Sequence, residues 1–112
     1  MYDVVLPQVP TVSVEEVKQA IETKESLVLL DVRTPDEVSR GKLPGAINVP
    51  LDELLTKIVS VVPDKKTKIY VYCMSGSRSV YAVDAMIKEG YTNVYHVANG
   101  VLAWRVKKYP VE

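Results

Sequence analysis

The segment from Cys73 to Ser79 places a thiol, three serine hydroxyls, a glycine and an arginine within seven consecutive residues. Small residues around Gly76 let a loop curl so that successive backbone N–H groups point inward, and such a loop binds anions. A helix that starts there adds unpaired N–H groups and the positive end of its dipole. Arg78 adds a permanent positive charge. The segment is therefore suited to hold a negatively charged atom.

Cys73 is the only cysteine of the chain. The field of such a loop stabilises the thiolate, which is the nucleophilic form of cysteine. We therefore expect a solvent-accessible thiolate that attacks a group whose transferred or leaving part is anionic. The alternative is an inert cysteine buried for packing, which is common. The position after a predicted strand, with Arg78 at the far end of the loop, favours the functional interpretation.

Strands and helices alternate along the chain, which predicts a mainly parallel sheet with helices on both faces. Capping boxes at Ser13–Glu16 and Thr34–Glu37 mark two helix starts, the second with Pro35 at its first helical position. The predicted strands are 27–32, 46–49, 69–72 and 94–97, and the predicted helices are 13–23, a short one from 35 to Gly41, 51–59, 77–89 and 101–108. The Cys73 loop then follows a buried strand, at the sheet edge where α/β folds bind ligands.

Length and composition restrict the function classes. A chain of 112 residues fits one domain, which we assign to 11–112, after an irregular arm at 1–10 that carries Pro7 and Pro10. Fourteen basic and fourteen acidic residues cancel, which argues against a nucleic-acid binder. No apolar run approaches the roughly 18 residues of a membrane span. A lone thiol builds neither an internal disulfide nor a cysteine-rich zinc site. No signal peptide is visible, so a cytoplasmic location is expected unless a signal was removed.

Four segments together resemble the rhodanese-type sulfurtransferases. They are Cys73-x-x-Gly76-x-Arg78-Ser79, 30–37 (LDVRTPDE), 41–50 (GKLPGAINVP) and 99–104 (NGVLAW), in the family's order. The resemblance spans about residues 11–108. Asn99 stands where the family usually has the first glycine of a pair, and asparagine tolerates left-handed backbone better than most residues.

The resemblance implies a rhodanese-like α/β fold with a central five-stranded, mainly parallel sheet. It implies that Cys73 carries a sulfane sulfur as a persulfide, which the loop residues hold: Met74, Ser75, Gly76, Ser77, Arg78 and Ser79. The donor would be thiosulfate, a polysulfide or a persulfide, including a protein persulfide, and the acceptor a thiol or cyanide. No metal or organic cofactor is needed, and the chain would be a monomer or a homodimer.

Two other functions are weighed against sulfur transfer. Rhodanese-like domains also occur as non-catalytic interaction modules, although the Cys73, Gly76 and Arg78 spacing argues against that here. Relatives that act as phosphatases or arsenate reductases have one residue more between cysteine and arginine than the four found here, Met74 to Ser77. A shorter loop makes a smaller pocket, which favours a single sulfur over a tetrahedral phosphate.

Several charged or polar side chains have open roles. Arg78 either faces the pocket or turns back to Asp31 or Glu37 and braces the loop. Asp31 and Arg33 are expected to support the site as a structural ion pair. The single histidine, on a predicted strand, is interpreted as a structural residue rather than a catalytic partner of the thiol. Neutral Met74 replaces a basic or polar residue and favours a polysulfide or protein persulfide as donor.

Overall fold

A single parallel sheet organises the part of the chain that the structure, a computed structural model, describes, residues 5–112. Its strands are β1 (Thr11–Val12), β2 (Val28–Asp31), β3 (Ile47–Asn48), β4 (Ile69–Tyr72) and β5 (Val94–Val97). The helices are α1 (Val14–Glu22), α2 (Pro35–Val38), α3 (Leu54–Val61), α4 (Ser77–Lys88) and α5 (Gly100–Val106), and a 3-10 turn at Leu51–Glu53 precedes α3. None of these helices is long and apolar enough to cross a membrane.

The strand order is β1-β5-β4-β2-β3, with every pairing parallel. This confirms the five-stranded sheet, which is wholly rather than mainly parallel over these residues. β4 is the central strand, and its last residue, Tyr72, lies opposite Asp31 of β2. The segments that follow β2 and β4 therefore begin at the same edge of the sheet, where Cys73 follows Tyr72.

The two halves of the core lie on opposite faces of the sheet. One face packs against α3 and α4 and contains Leu30, Val71 and Cys73. The other packs against α1 and α5 and contains Tyr70 and Tyr72. Because successive side chains of a strand point to opposite faces, β4 directs its tyrosines to one side and the thiol to the other. The expectation of helices on both faces is confirmed.

Both predicted capping boxes form. Ser13 Oγ accepts from the Glu16 N–H at 3.1 Å, and the Ser13 N–H donates back to the Glu16 carboxylate at 3.4 Å. The same exchange joins Thr34 and Glu37, at 3.3 Å and 3.1 Å. The second box matters for the site because it fixes the Glu37 carboxylate at the start of α2.

The edge strand β1 is a strand that the residue pattern did not predict. Thr11 and Val12 pair with His96 and Val97, and the Pro10 carbonyl accepts from the His96 N–H at 2.8 Å. Two residues are too few to show a period, so only their neighbours in the sheet reveal them as a strand. The end of the predicted arm thus docks on β5, while residues 1–4 of that arm lie outside the described residues.

Candidate active site

The Cys73 thiol lies directly beyond the central strand and is fully buried. The expectation of a solvent-accessible sulfur is therefore wrong for this conformation. The reason is the strand alternation, which points Cys73 to the same face as Val71, beneath the first turn of α4. The sulfur is therefore covered from solvent in this conformation.

Two backbone N–H groups point at the sulfur. The Gly76 N–H donates to Cys73 Sγ at 3.1 Å, and the Ser79 N–H does so at 3.4 Å. Gly76 has a φ of +107°, a left-handed conformation that glycine adopts without strain. That conformation turns its amide inward. A sulfur with two N–H donors and a helix start beside it can hold negative charge although it is buried.

The other loop residues are placed differently. Ser75 and Ser77 are exposed, and Met74 packs against the core on the α1 and α5 side. Among the described residues, the side chains and amides of these three make no hydrogen bond to the sulfur. Of the loop residues predicted to hold the persulfide, the structure brings Gly76 and Ser79 to Cys73.

The start of α5 holds the same loop from the other side. The Val101 N–H donates to the Cys73 carbonyl and the Leu102 N–H to the Met74 carbonyl, each at 3.0 Å. Gly100 permits this approach, since a Cβ there would collide with the Cys73 carbonyl oxygen. Asn99 has a φ of +61°, the left-handed backbone expected for an asparagine in place of glycine.

Arg78 pairs with Glu37, and this contact braces the loop. Its guanidinium donates to both carboxylate oxygens of Glu37, at 2.6 Å and 2.8 Å. Hydrogen bonds from Arg78 lower the pKa of Glu37 to about 2, and the same bonds raise the pKa of Arg78. Of the two roles left open by the sequence, the structure shows the contact of the second, with Glu37 as the partner, while Arg78 also lines the groove described below.

Asp31 and Arg33 form a fully buried ion pair at 2.8 Å. The Arg33 guanidinium also donates to the Gly41 carbonyl at 2.7 Å and to the Glu37 carbonyl at 3.3 Å. The pair therefore ties the end of β2 to the segment that carries Glu37. Neither side chain of the pair makes a hydrogen bond to the sulfur.

A polar chain that the sequence interpretation missed leads from the sulfur to β5. Ser79 Oγ lies 3.6 Å from Cys73 Sγ and 2.7 Å from His96 Nδ1. Burial lowers the pKa of His96, which favours a neutral ring. The position of His96 in the sheet could have indicated this contact, because β5 lies next to β4 and α4 starts just beyond β4. A polar residue on that face of β5 is thus directed to the first turn of α4.

A mainly apolar groove of about 330 Å³ lies beside the loop, lined by Val32, Thr34, Pro50, Leu51, Asp52 and Arg78. Within the described range no three histidine, cysteine or acidic side chains are grouped so that they could hold a metal ion. The site therefore combines a buried sulfur, two amide donors and a mainly apolar groove beside the loop.

Comparison with known proteins places this geometry in a family. The Rhodanese-like domain family matches residues 13–107. The putative sulfur carrier protein YrkF of Bacillus subtilis is 34% identical over 99 residues, which are 88% of this chain and 52% of that protein. A protein named sulfurtransferase from Allochromatium vinosum is 32% identical over 97 residues, 87% of this chain and 89% of that one.

Solved structures agree with the sequence comparison. The crystal structure of thiosulfate sulfurtransferase from Pseudomonas aeruginosa superimposes with a TM-score of 0.85 at 28% identity, covering 93% of this chain and 20% of that one. The present chain thus spans about half of the first relative and a fifth of this enzyme. The match across residues 13–107, with the fold and the cysteine loop in place, shows that the chain belongs to the rhodanese-like domain family.

Proposed function

We propose that this chain is a sulfurtransferase that carries a sulfane sulfur on Cys73. The observation that carries the proposal is the pair of inward N–H groups, of Gly76 and Ser79, on a sulfur at the end of the central strand. These donors stabilise a thiolate before the reaction and can receive a persulfide anion after it. The relatives named as a sulfur carrier and a sulfurtransferase support the same role.

The reaction divides into two transfers. The Cys73 thiolate attacks the outer sulfur of the donor, a new S–S bond forms, and the old S–S bond breaks with its electron pair on the leaving group. Thiosulfate would release sulfite, and an organic persulfide would release a thiolate. An acceptor thiolate, or cyanide in an assay, then attacks the outer sulfur and returns Cys73 as a thiolate. This order predicts ping-pong kinetics.

The charges near the loop affect which sulfur donor the site prefers. Arg78 is neutralised by Glu37, and Arg33 by Asp31. Met74 adds no charge, and the neighbouring groove is mainly apolar. The positive field that would attract doubly charged thiosulfate is therefore weak. We infer that the preferred donor is an organic polysulfide or persulfide, a small molecule or one carried by a protein, whose organic part can contact the apolar groove, and that thiosulfate reacts more slowly.

Mass spectrometry after exposure to a donor tests the proposal. The protein is incubated separately with thiosulfate, polysulfide and a low-molecular-weight persulfide. We expect a gain of one sulfur on Cys73 that cyanide removes, and no gain in Cys73→Ser. An unmodified Cys73 with all three donors would overturn the proposal and would favour a non-catalytic interaction module.

Phosphatase chemistry is disfavoured by one observation. A phosphate on Cys73 would need a guanidinium directed at its oxygens, yet Arg78 is held by both oxygens of Glu37. Hydrolysis of an aryl phosphate that is lost in Cys73→Ser would restore that alternative.

A further inference from the structure

The hydroxyl of Ser79 lies between the Cys73 sulfur and the His96 ring. Its oxygen is 3.6 Å from Sγ, at the distance of a hydrogen bond to sulfur, and 2.7 Å from Nδ1. All three residues are buried, with His96 the most exposed at 8%. Within residues 5–112 this chain is the one side-chain route of hydrogen bonds from the sulfur to an imidazole.

The available hydrogens allow one continuous chain of hydrogen bonds, which runs from the thiol through the Ser79 hydroxyl to the His96 ring. Ser79 has a single hydroxyl hydrogen and two lone pairs. When the neutral ring carries its hydrogen on Nε2, Nδ1 accepts the Ser79 hydroxyl hydrogen. The serine oxygen is then free to accept from the thiol. The Gly76 carbonyl, 3.2 Å away, is the competing acceptor, at a longer distance than Nδ1.

The charges around His96 leave it a neutral base. Burial is the cause of its lowered pKa. On the neighbouring elements β1 has no ionisable side chain, and the ionisable groups on β4, β5 and the loop-facing part of α4 are Tyr70, Tyr72, Tyr95, Arg78, Tyr81 and Asp84. The charged ones are paired, Arg78 with Glu37 and Asp84 with Lys88. Among the groups of residues 5–112 named here, a thiolate on Cys73 is therefore the unpaired charge that an imidazolium at His96 would meet.

We propose that Ser79 and His96 form a proton relay for the Cys73 thiol, in which His96 is a positioning residue that acts through the serine hydroxyl. This inference rests on the proposed sulfur transfer. The S–H bond breaks and its electron pair stays on Sγ. The proton passes to Ser79 Oγ while the serine proton passes to Nδ1. The products are a thiolate, an unchanged serine and an imidazolium.

The proton leaves the relay at the other ring nitrogen. Nε2 makes no hydrogen bond to the part of the chain that the structure describes, and it is not a fully buried atom. It can therefore exchange with water. Gly76 makes room for this ring, because a Cβ at that position would lie 3.0 Å from His96 Cε1.

The pH dependence of Cys73 alkylation by iodoacetamide tests the relay in the full chain. His96→Asn keeps a hydrogen-bonding group near Ser79 but accepts no proton, and His96→Gln places the amide one carbon farther out as a second variant. A thiolate paired with an imidazolium persists to lower pH than a thiolate alone. We expect the alkylation rate at neutral pH to fall about tenfold in His96→Asn and to recover at high pH, a displacement of about one pH unit.

Ser79 supplies a matched pair of variants. Ser79→Ala removes the bridging hydroxyl and is expected to displace the profile as His96→Asn does. Ser79→Thr retains the hydroxyl and is expected to restore much of the wild-type profile. Profiles of His96→Asn, His96→Gln and Ser79→Ala that coincide with wild type would overturn the relay.

A spectroscopic readout separates the relay from simple packing. His96 is the single histidine of the chain, so its ring nitrogens give one set of NMR signals. We expect the Nε2–H tautomer at neutral pH and a lower His96 titration midpoint in Cys73→Ala, where no thiolate stabilises the imidazolium. An Nδ1–H tautomer, or equal midpoints, would contradict the relay.

The outcomes for the relay and for sulfur transfer are distinguishable. If the wild-type protein gains no sulfur from any donor, sulfur transfer fails, while the alkylation profiles still report on the relay. If the profiles are unchanged but Cys73 gains a cyanide-labile sulfur, the relay fails and the proposed function stands.

Discussion

The guanidinium of Arg78 binds both carboxylate oxygens of Glu37, at 2.6 Å and 2.8 Å. This contact joins the first turn of the helix after the cysteine loop to the capping box of α2. Two parallel N–H···O bonds fix the guanidinium in one plane. The same bonds compensate the charge of the guanidinium, so one contact both restrains the loop and reduces the positive charge that a donor meets.

Glu37→Gln is expected to lower the free energy of unfolding by about 1 kcal/mol. A hydrogen bond between charged groups contributes more than this when buried, but both side chains are partly exposed and water screens them. Glutamine still serves the capping box at that position, so the variant isolates the charge. Urea unfolding measures the change. Asp36→Asn is the control, since its partner Arg40 is exposed, and an equal loss in the control would contradict the assignment.

The same Glu37→Gln variant is expected to favour thiosulfate as a donor. Removing the carboxylate leaves the Arg78 charge uncompensated beside the loop, and an added positive charge attracts a dianion more than a singly charged persulfide. We expect the ratio of thiosulfate to organic persulfide activity to rise about fivefold, equivalent to ~1 kcal/mol. Steady-state rates with each donor measure it. A ratio that stays constant while both rates fall would show that Glu37 only stabilises the fold.

The Glu37 pKa of about 2, against an ordinary value of 4.5, predicts a specific acid response. A lowered folded-state pKa stabilises the protein above the unfolded pKa, and this contribution is lost as the pH falls from 4.5 toward 2. Arg78→Gln raises the Glu37 pKa toward its ordinary value. The stability difference between wild type and Arg78→Gln should therefore be full at pH 6 and shrink steadily below pH 4.5. Urea unfolding at a series of pH values measures it, and a constant difference would refute the cause.

Features encoded in neighbouring residues could be predicted from the sequence. The capping boxes at Ser13 and Thr34 need only side chains three residues apart, and both form. The strands 69–72 and 94–97 coincide with β4 and β5 because β-branched and aromatic residues are concentrated there. The position of Arg78 at the end of the cysteine loop also limited its predicted role to two, facing the pocket or bracing the loop through a carboxylate.

What the sequence did not reveal depends on contacts between distant segments. The ion pair of Arg78 with Glu37 joins residues 41 positions apart in the sequence. The edge strand β1 is recognised only by its pairing with β5. The buried state of Cys73 follows from how α4 covers the sheet. The link from Ser79 to His96 requires the register of β5 beside β4, which no local pattern contains.

Gly100→Ala is expected to damage the cysteine loop more than any loss of charge would. A Cβ at this position would collide with the Cys73 carbonyl oxygen and lie 2.8 Å from that of Met74, both backbone atoms that cannot move aside without shifting the loop. We expect the free energy of unfolding to fall by about 3 kcal/mol or more, measured by urea unfolding, and Cys73 to be alkylated faster as the loop loosens.

Gly45→Ala is the control. Gly45 also has a positive φ but has open space around it. This variant should therefore lower the free energy of unfolding by only about 1 kcal/mol and leave the alkylation rate unchanged. Equal effects of the two variants would show that backbone strain alone, and not the contact with the Cys73 carbonyl, requires glycine at position 100.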